Sequence, residues 1–245
     1  MRLDQLLVER GLFPSREQAR RAVMAGTVEV EGRRVDKPGT AVKPASRVTV
    51  RSAREPFVSR AGRKLAHALE HFGVDPVGWT CLDVGASTGG FTDCLLQRGA
   101  ARVYALDVGY GQLDQRLRTD PRVGVMERIN ARFLADGALP EPCDLITVDV
   151  SFISLLKVVP ALLPHLSPGA PGGLLLPMIK PQFEAGRGAV GKGGILRDDV
   201  VRERVVRECV EGIAALGLDP LGVFDSPVSG VGGNREAFAL FRSRA

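Results

Sequence analysis

The chain has 245 residues, 33 Lys/Arg against 28 Asp/Glu, and a formal net charge of +5, a length that suits one large α/β domain plus a small one. No apolar run approaches the ~20 residues of a membrane span, so no membrane association is expected. Four cysteines (Cys81, Cys94, Cys143, Cys209) lie far apart with no Cys-x-x-Cys, and Met1-Arg2-Leu3-Asp4-Gln5 lacks the apolar stretch of a signal peptide, which together argue against a disulfide framework, a zinc site and secretion and predict a reduced, cytoplasmic protein. His67 and His71 stand four apart without a third ligand, so no metal is expected.

Charge divides the chain. Residues 1–60 hold 13 Lys/Arg against 7 Asp/Glu, a net of +6, whereas residues 61–245 have a net of −1. A concentrated basic segment suits a polyanion such as nucleic acid, the alternative being a solvated face. Leu3, Leu6 and Leu7 predict a first helix ending at Gly11. Ser15 and Gln18 form a capping box for a second, with Ala19, Ala22 and Val23 inward, Arg16, Arg20 and Arg21 on the other face, and Gly26 as its stop. Val28 and Val30, a turn at Glu31-Gly32, and Val35, Val42, Val48 and Val50 predict a small sheet. Residues 1–51 thus read as a small α+β domain and residues 52–60, with Pro56 and flanking arginines, as a linker.

Residues 61–245 read as the second domain. Its first helix carries Leu65, Leu69 and Phe72 on one face. Strands follow at Thr80–Val84, Arg102–Asp107, Val123–Glu127, Asp144–Asp149 and Gly173–Ile179, with a later pair near Pro220–Ser226 and Ala237–Phe241. Strand alternating with helix predicts a Rossmann-like α/β fold with a mostly parallel seven-stranded sheet, which binds ligands at the C-terminal strand ends.

Asp83-Val84-Gly85-Ala86-Ser87-Thr88-Gly89-Gly90-Phe91 reads as strand, glycine-rich turn and helix start. The spacing differs from the Gly-x-Gly-x-x-Gly of dinucleotide enzymes. A carboxylate at Asp83 would repel a pyrophosphate and suits the ammonium of S-adenosylmethionine, so Asp83, Gly85, Ser87, Thr88, Gly89, Gly90 and Phe91 are its candidate binding residues. Asp107, 24 residues on, is placed to accept both ribose hydroxyls. Asn130 is either an adenine contact or a turn cap. An NAD enzyme is disfavoured by the missing glycine pattern. Gly186-x-x-x-x-Gly191-Lys192 imitates a phosphate loop but has Gly193 where magnesium would need Ser/Thr, and is expected to be a mobile lid instead.

Asp149 and Lys180 each close an apolar strand at the ligand edge, as Asp107 does. Lys64 by itself reads equally as a surface lysine, and Glu236 precedes the last strand. A lysine with a lowered pKa can take the proton of a hydroxyl nucleophile while carboxylates orient it.

Two resemblances extend these readings. Leu3-Asp4-x-Leu6-Leu7, Gly11-Leu12-x-x-Ser15-Arg16-x-x-Ala19, Gly26-x-Val28-x-Val30-x-Gly32 and Lys37-Pro38-Gly39 resemble the S-four RNA-binding domain, with Glu31 where Asn is frequent. This implies phosphate contacts from Arg2, Arg16, Arg20 and Arg21, joined by Arg60. Ser59-Arg60-Ala61-Gly62-x-Lys64-Leu65, Asp149-Val150-Ser151-Phe152-Ile153-Ser154, Lys180-Pro181-Gln182-Phe183-Glu184 and Gly233-Asn234-x-Glu236 resemble the Lys-Asp-Lys-Glu tetrad of FtsJ-type ribose 2′-O-methyltransferases, and the whole chain is similar to the TlyA family. The resemblance implies cytidine 2′-O-methylation of ribosomal RNA within ribosomal subunits, with S-adenosylmethionine as donor and no obligate protein partner. Lys180 would be the base, Asp149, which also faces the cofactor, and Glu236 would orient, and Lys64 would assist at the ribose. Ala61 and Phe57-Val58 depart slightly from the family pattern. The competing readings are a membrane-acting cytolysin, a label this family often carries, and a noncatalytic ribosomal RNA-binding factor.

Overall fold

The computed structural model describes the chain apart from residues 25, 51–55, 169–171, 187–189, 192 and 245 and the side chain at 231. It comprises two compact units, Met1–Pro56 and Phe57–Ala245. Among the described residues no helix is long and apolar enough to cross a membrane.

In the first unit helices α1 (Leu3–Glu9) and α2 (Arg16–Met24) accompany strands β1 (Val28–Val30), β2 (Arg33–Arg34) and β3 (Val48–Val50), paired antiparallel in the order β2-β1-β3. Leu3, Leu7, Ala19, Val23 and Val28 are fully buried and form its core. The Ser15 hydroxyl accepts the Gln18 N–H at 3.3 Å, the Ser half of the expected capping box. Val35 and Val42 pack on the core without belonging to a named strand, because a turn at Lys37–Thr40 diverts the chain between them. Asp4 is wholly buried yet ionically satisfied by Arg2 (3.0 Å) and Arg16 (3.1 Å). Two of the arginines expected to face RNA are therefore partly committed to holding α1 and α2 together.

The second unit is built on a seven-stranded sheet. Its strands are β4 (Thr80–Val84), β5 (Arg102–Asp107), β6 (Val123–Glu127), β7 (Leu145–Val148), β8 (Leu174–Ile179), β9 (Leu218–Asp225) and β10 (Ala237–Ser243), in the order β6-β5-β4-β7-β8-β10-β9. Strands β4 to β8 run parallel and β10 is antiparallel to both neighbours. Continuous apolar runs such as residues 103–106 and Leu174–Ile179 suit this placement, since a sheet covered on both faces needs no polar alternation. Helices α3 (Ala61–Phe72), α4 (Gly90–Gln97) and α5 (Gln115–Arg118) share one apolar cluster, while α7 (Asp199–Ala214) joins a second with Leu155, Val158 and Leu162; the short α6 (Pro181–Glu184) follows β8. The α3 stripe of Leu65, Ala68 and Leu69 is buried, and the helix stops at Gly73, whose φ of 63° is the left-handed C-cap glycine supplies cheaply.

The linker expected over 52–60 does not extend to Arg60. Residues 51–55 lie outside the described residues, but Phe57 lies against Gly62, and the Val58 N–H donates to Asp93 at 2.7 Å. An aromatic ring and an anchored backbone N–H make 57–60 the first layer of the second unit.

Candidate active site

The chain leaves β4 towards β5 and β6 on one side and returns to β7 on the other, so the strand order reverses between β4 and β7. Such a switch point opens a crevice at the C-terminal strand ends. Gly85 and Asp149 meet there. Gly85 has a φ of 86°, and a Cβ on it would stand 2.5 Å from the Asp149 carbonyl oxygen, so a side chain is excluded on both counts. Two adjoining cavities of about 600 and 220 Å³ share Gly85, Ser87 and Asp149 in their walls. The larger also has Asp107, Val108, Ile129 and Asn130, and the smaller Arg60, Thr88, Gly90 and Phe91.

Asp83, expected at the cofactor, lines neither cavity. Its carboxylate points into the protein, 1 % exposed, and accepts the Thr92 N–H (2.9 Å) and the Thr92 hydroxyl (2.7 Å). It occupies a donor in the first turn of α4 that an incoming ligand would otherwise use, and joins strand to helix beneath the loop. Burial pushes its pKa up to about 7, with the Thr92 hydrogen bonds opposing. Gly89 likewise serves the fold. At a φ of 94° it starts α4, packed beside Leu113 and Leu117. Gly90 admits the Gly62 backbone, its hypothetical Cβ only 2.9 Å from that nitrogen, and Phe91 is buried against Phe238.

Asp107 stands at the cavity wall as expected, and its carboxylate already organises the surrounding backbone. One oxygen accepts the Ser87 N–H at 2.8 Å and the other the Gly109 N–H at 2.7 Å. Asn130 realises the cap reading, its Oδ1 accepting the Arg132 N–H at 3.0 Å, while the residue still lines the cavity. Gln112, absent from the sequence-based candidates, accepts from the Ser87 hydroxyl at 3.3 Å on the same wall.

The four tetrad candidates form two ion pairs at one edge of the sheet. Lys180 Nζ lies 2.6 Å from Asp149 Oδ1 and donates to the Ser151 hydroxyl at 2.9 Å. Lys64, in the first turn of α3, donates to Glu236 Oε2 at 2.5 Å, with both side chains at least nine-tenths buried. Lys64 is thus no surface lysine. Because Ala237 pairs with Ile179 in the antiparallel ladder, the same register sets Glu236 opposite Lys180, which draws the two pairs to one edge. Ser151 is a neighbour of Lys180 that no charge pattern could reveal; it lines the larger cavity together with Asp149.

Beside them Phe152 is 89 % exposed, has a φ of 64° and lies with its ring centroid 4.9 Å from that of Phe183, the two rings tilted by 46°. A bulky residue held in the left-handed region with its ring in solvent is a strained arrangement of the kind found where ligands are gripped. The sequence offered one signal for it, an aromatic directly after Ser151 and three residues after Asp149. Arg20 and Arg21 are exposed on α2 and Arg60 caps α3. Of the glycine-rich segment, Gly188 and Lys192 lie outside the described residues, while Gly194 closes a turn onto the Gly191 carbonyl at 3.1 Å.

Comparison with known proteins fits this geometry. The FtsJ-like methyltransferase family matches residues 57–243 and the S4 domain matches residues 1–48. A Mycobacterium tuberculosis protein named 16S/23S rRNA (cytidine-2′-O)-methyltransferase TlyA is 47 % identical over 99 % of this chain and 90 % of its own length. Hemolysin A of Brachyspira hyodysenteriae is 41 % identical over 98 % of this chain and 99 % of its own. A solved Streptococcus thermophilus structure, provisionally named a hemolysin, superposes with a TM-score of 0.78 at 40 % identity, covering 99 % of this chain and 88 % of that one. With an S4 domain, an FtsJ-like domain and near-full-length identity, the chain belongs to the TlyA family of methyltransferases.

Proposed function

We propose that this protein transfers the methyl group of S-adenosylmethionine to the 2′-hydroxyl of cytidine in ribosomal RNA, acting in the cytoplasm on ribosomal subunits. The observation that carries the reading is the gathering of two lysine–carboxylate pairs at the strand edge beside the 600 Å³ cavity. The cavity suits the donor. Its volume falls in the range of small-molecule sites, Asp107 offers carboxylate lone pairs for a ribose diol, and Val108 and Ile129 offer apolar cover near Asn130 for an adenine. Gly85 lets the backbone approach without a side chain in the way. Bound there, S-adenosylmethionine supplies a methyl group already activated by its sulfonium.

The protein's own task is to place and deprotonate the hydroxyl. Lys180 takes the proton as a neutral amine, its ammonium having first released a proton to solvent. Asp149 and Ser151 hold its nitrogen at the cavity, and Glu236 fixes Lys64 beside it. Phe152 and Phe183 present ring faces on which an unstacked base can lie. The exposed Arg20 and Arg21 of α2 supply phosphate contacts that position the RNA without reading its sequence, with Arg2 and Arg16 adding what Asp4 leaves free and Arg60 contributing at the cavity.

The test is incubation with methyl-labelled S-adenosylmethionine and unmodified small and large ribosomal subunits, followed by nucleoside analysis. Labelled 2′-O-methylcytidine is expected. Cofactor binding without any label in either subunit would contradict the reading.

A further inference from the structure

Residues 230–236 form a tight turn whose product is the Glu236 carboxylate. Gly232 and Gly233 have φ values of 71° and 90°, and the Gly230 N–H donates to the Asn234 carbonyl at 2.9 Å, closing the turn. Gly230 lies so close to Glu236 that a Cβ on it would collide with the carboxylate. The backbone then runs pinned into β10, with the Arg235 carbonyl accepting from Arg202 Nε at 3.2 Å and the Glu236 carbonyl from the Ser226 N–H at 2.9 Å.

Asn234, like Glu236, is a polar side chain buried in this turn, 4 % exposed. Its Nδ2 donates to the Gly194 carbonyl at 2.9 Å, and its Oδ1 accepts the Leu196 N–H at 3.0 Å. Only an amide side chain offers a donor and an acceptor side by side for such a pair of backbone groups. Ile195, between the two partners, packs its side chain within 3.3 Å of the space over Gly232. The amide thus clasps residues 194–196 to the turn that presents Glu236.

We infer that Asn234 is a positioning residue of this methyltransferase, clasping residues 194–196 so that Glu236 holds Lys64 in register for the reaction. The inference rests on the proposed 2′-O-methyltransferase activity and names a residue that acts through Glu236. A misplacement of about 1 Å in an orienting group costs on the order of 100-fold in rate, whereas the contacts proposed for RNA and cofactor are made by side chains other than Asn234.

Full-length Asn234→Ala and Asn234→Asp are compared with the unchanged protein, alone and in a Glu236→Gln background, for kcat, KM for ribosomal subunits, S-adenosylmethionine affinity and thermal midpoint. Asn234→Ala is expected to lower kcat about 10- to 100-fold, with KM and cofactor affinity within about twofold. Asn234→Asp retains the acceptor for Leu196 but sets a carboxylate oxygen against the Gly194 carbonyl, so it is also expected to lower kcat, and it carries the test if the alanine variant does not fold. In the Glu236→Gln background neither change is expected to lower kcat further, because residues acting as a unit are not additive. Losses that multiply across the two sites, or a kcat unchanged by both Asn234 variants, would overturn the inference. A Glu236→Gln protein with full activity would remove instead the catalytic reading beneath it.

Discussion

Charge at the ligand edge of the large sheet lies in two layers with different fates. Asp83 is sealed against Thr92 of α4 and the Lys64–Glu236 pair is buried beside Gly230, whereas Asp107, Asp149 and Ser151 face a cavity, with Lys180 bound to the last two. The sealed layer is committed to partners inside the protein, and the open layer lines the cavity. A charged residue at a strand end therefore does not by itself mark a ligand contact: Asp83 and Asp149 close neighbouring strands, and only the second reaches the cavity.

The largest effect that can break this division belongs to the sealed pair. Glu236→Ala leaves the Lys64 ammonium buried without its partner, which is expected to cost about 3–5 kcal/mol of stability. Removing both charges with Lys64→Met and Glu236→Leu is expected to restore most of that stability while leaving turnover abolished. Denaturant unfolding beside a methyl-transfer assay reads both, and a Glu236→Ala protein as stable as the unchanged one would show that the pair is not sealed.

A smaller, pH-dependent effect sharpens the comparison at Asp83. Its carboxyl has a pKa raised from 3.8 to about 7 by burial, so between those values the folded state holds a proton that the unfolded chain has released. The contribution of the protonated carboxyl is full below the unfolded value and is lost as pH rises through about 7. Stability is accordingly expected to fall more steeply between about pH 4 and pH 7 in the unchanged protein than in Asp83→Asn. Parallel pH profiles would place Asp83 in water.

Much of this was legible in the sequence. The strands of the large sheet follow their apolar runs closely, because a parallel sheet buried on both faces writes itself as continuous Val, Leu and Ile. The four residues of the two ion pairs could be singled out because three of them close or precede strands, and Lys64 through its resemblance context. The direction of Asp83 was not legible, since strand-end position does not tell whether a carboxylate points over the edge or back under the next helix. Nor was the double duty of Arg2 and Arg16, whose shared partner Asp4 lies inside an apolar helix face. The anchoring of Val58 by Asp93 and the clasp of Asn234 on Gly194 and Leu196 join residues 35 to 40 positions apart, and no local pattern announces them.

The central claim is that the open layer does the chemistry, with Lys180 receiving the proton. Its most direct test is single-turnover methyl transfer by Lys180→Ala on unmodified ribosomal subunits, with S-adenosylmethionine affinity and thermal midpoint measured on the same preparation. A rate loss of about 10²–10⁴-fold with cofactor affinity and folding preserved is the expected result. Full transfer by Lys180→Ala would contradict the account and move the base elsewhere.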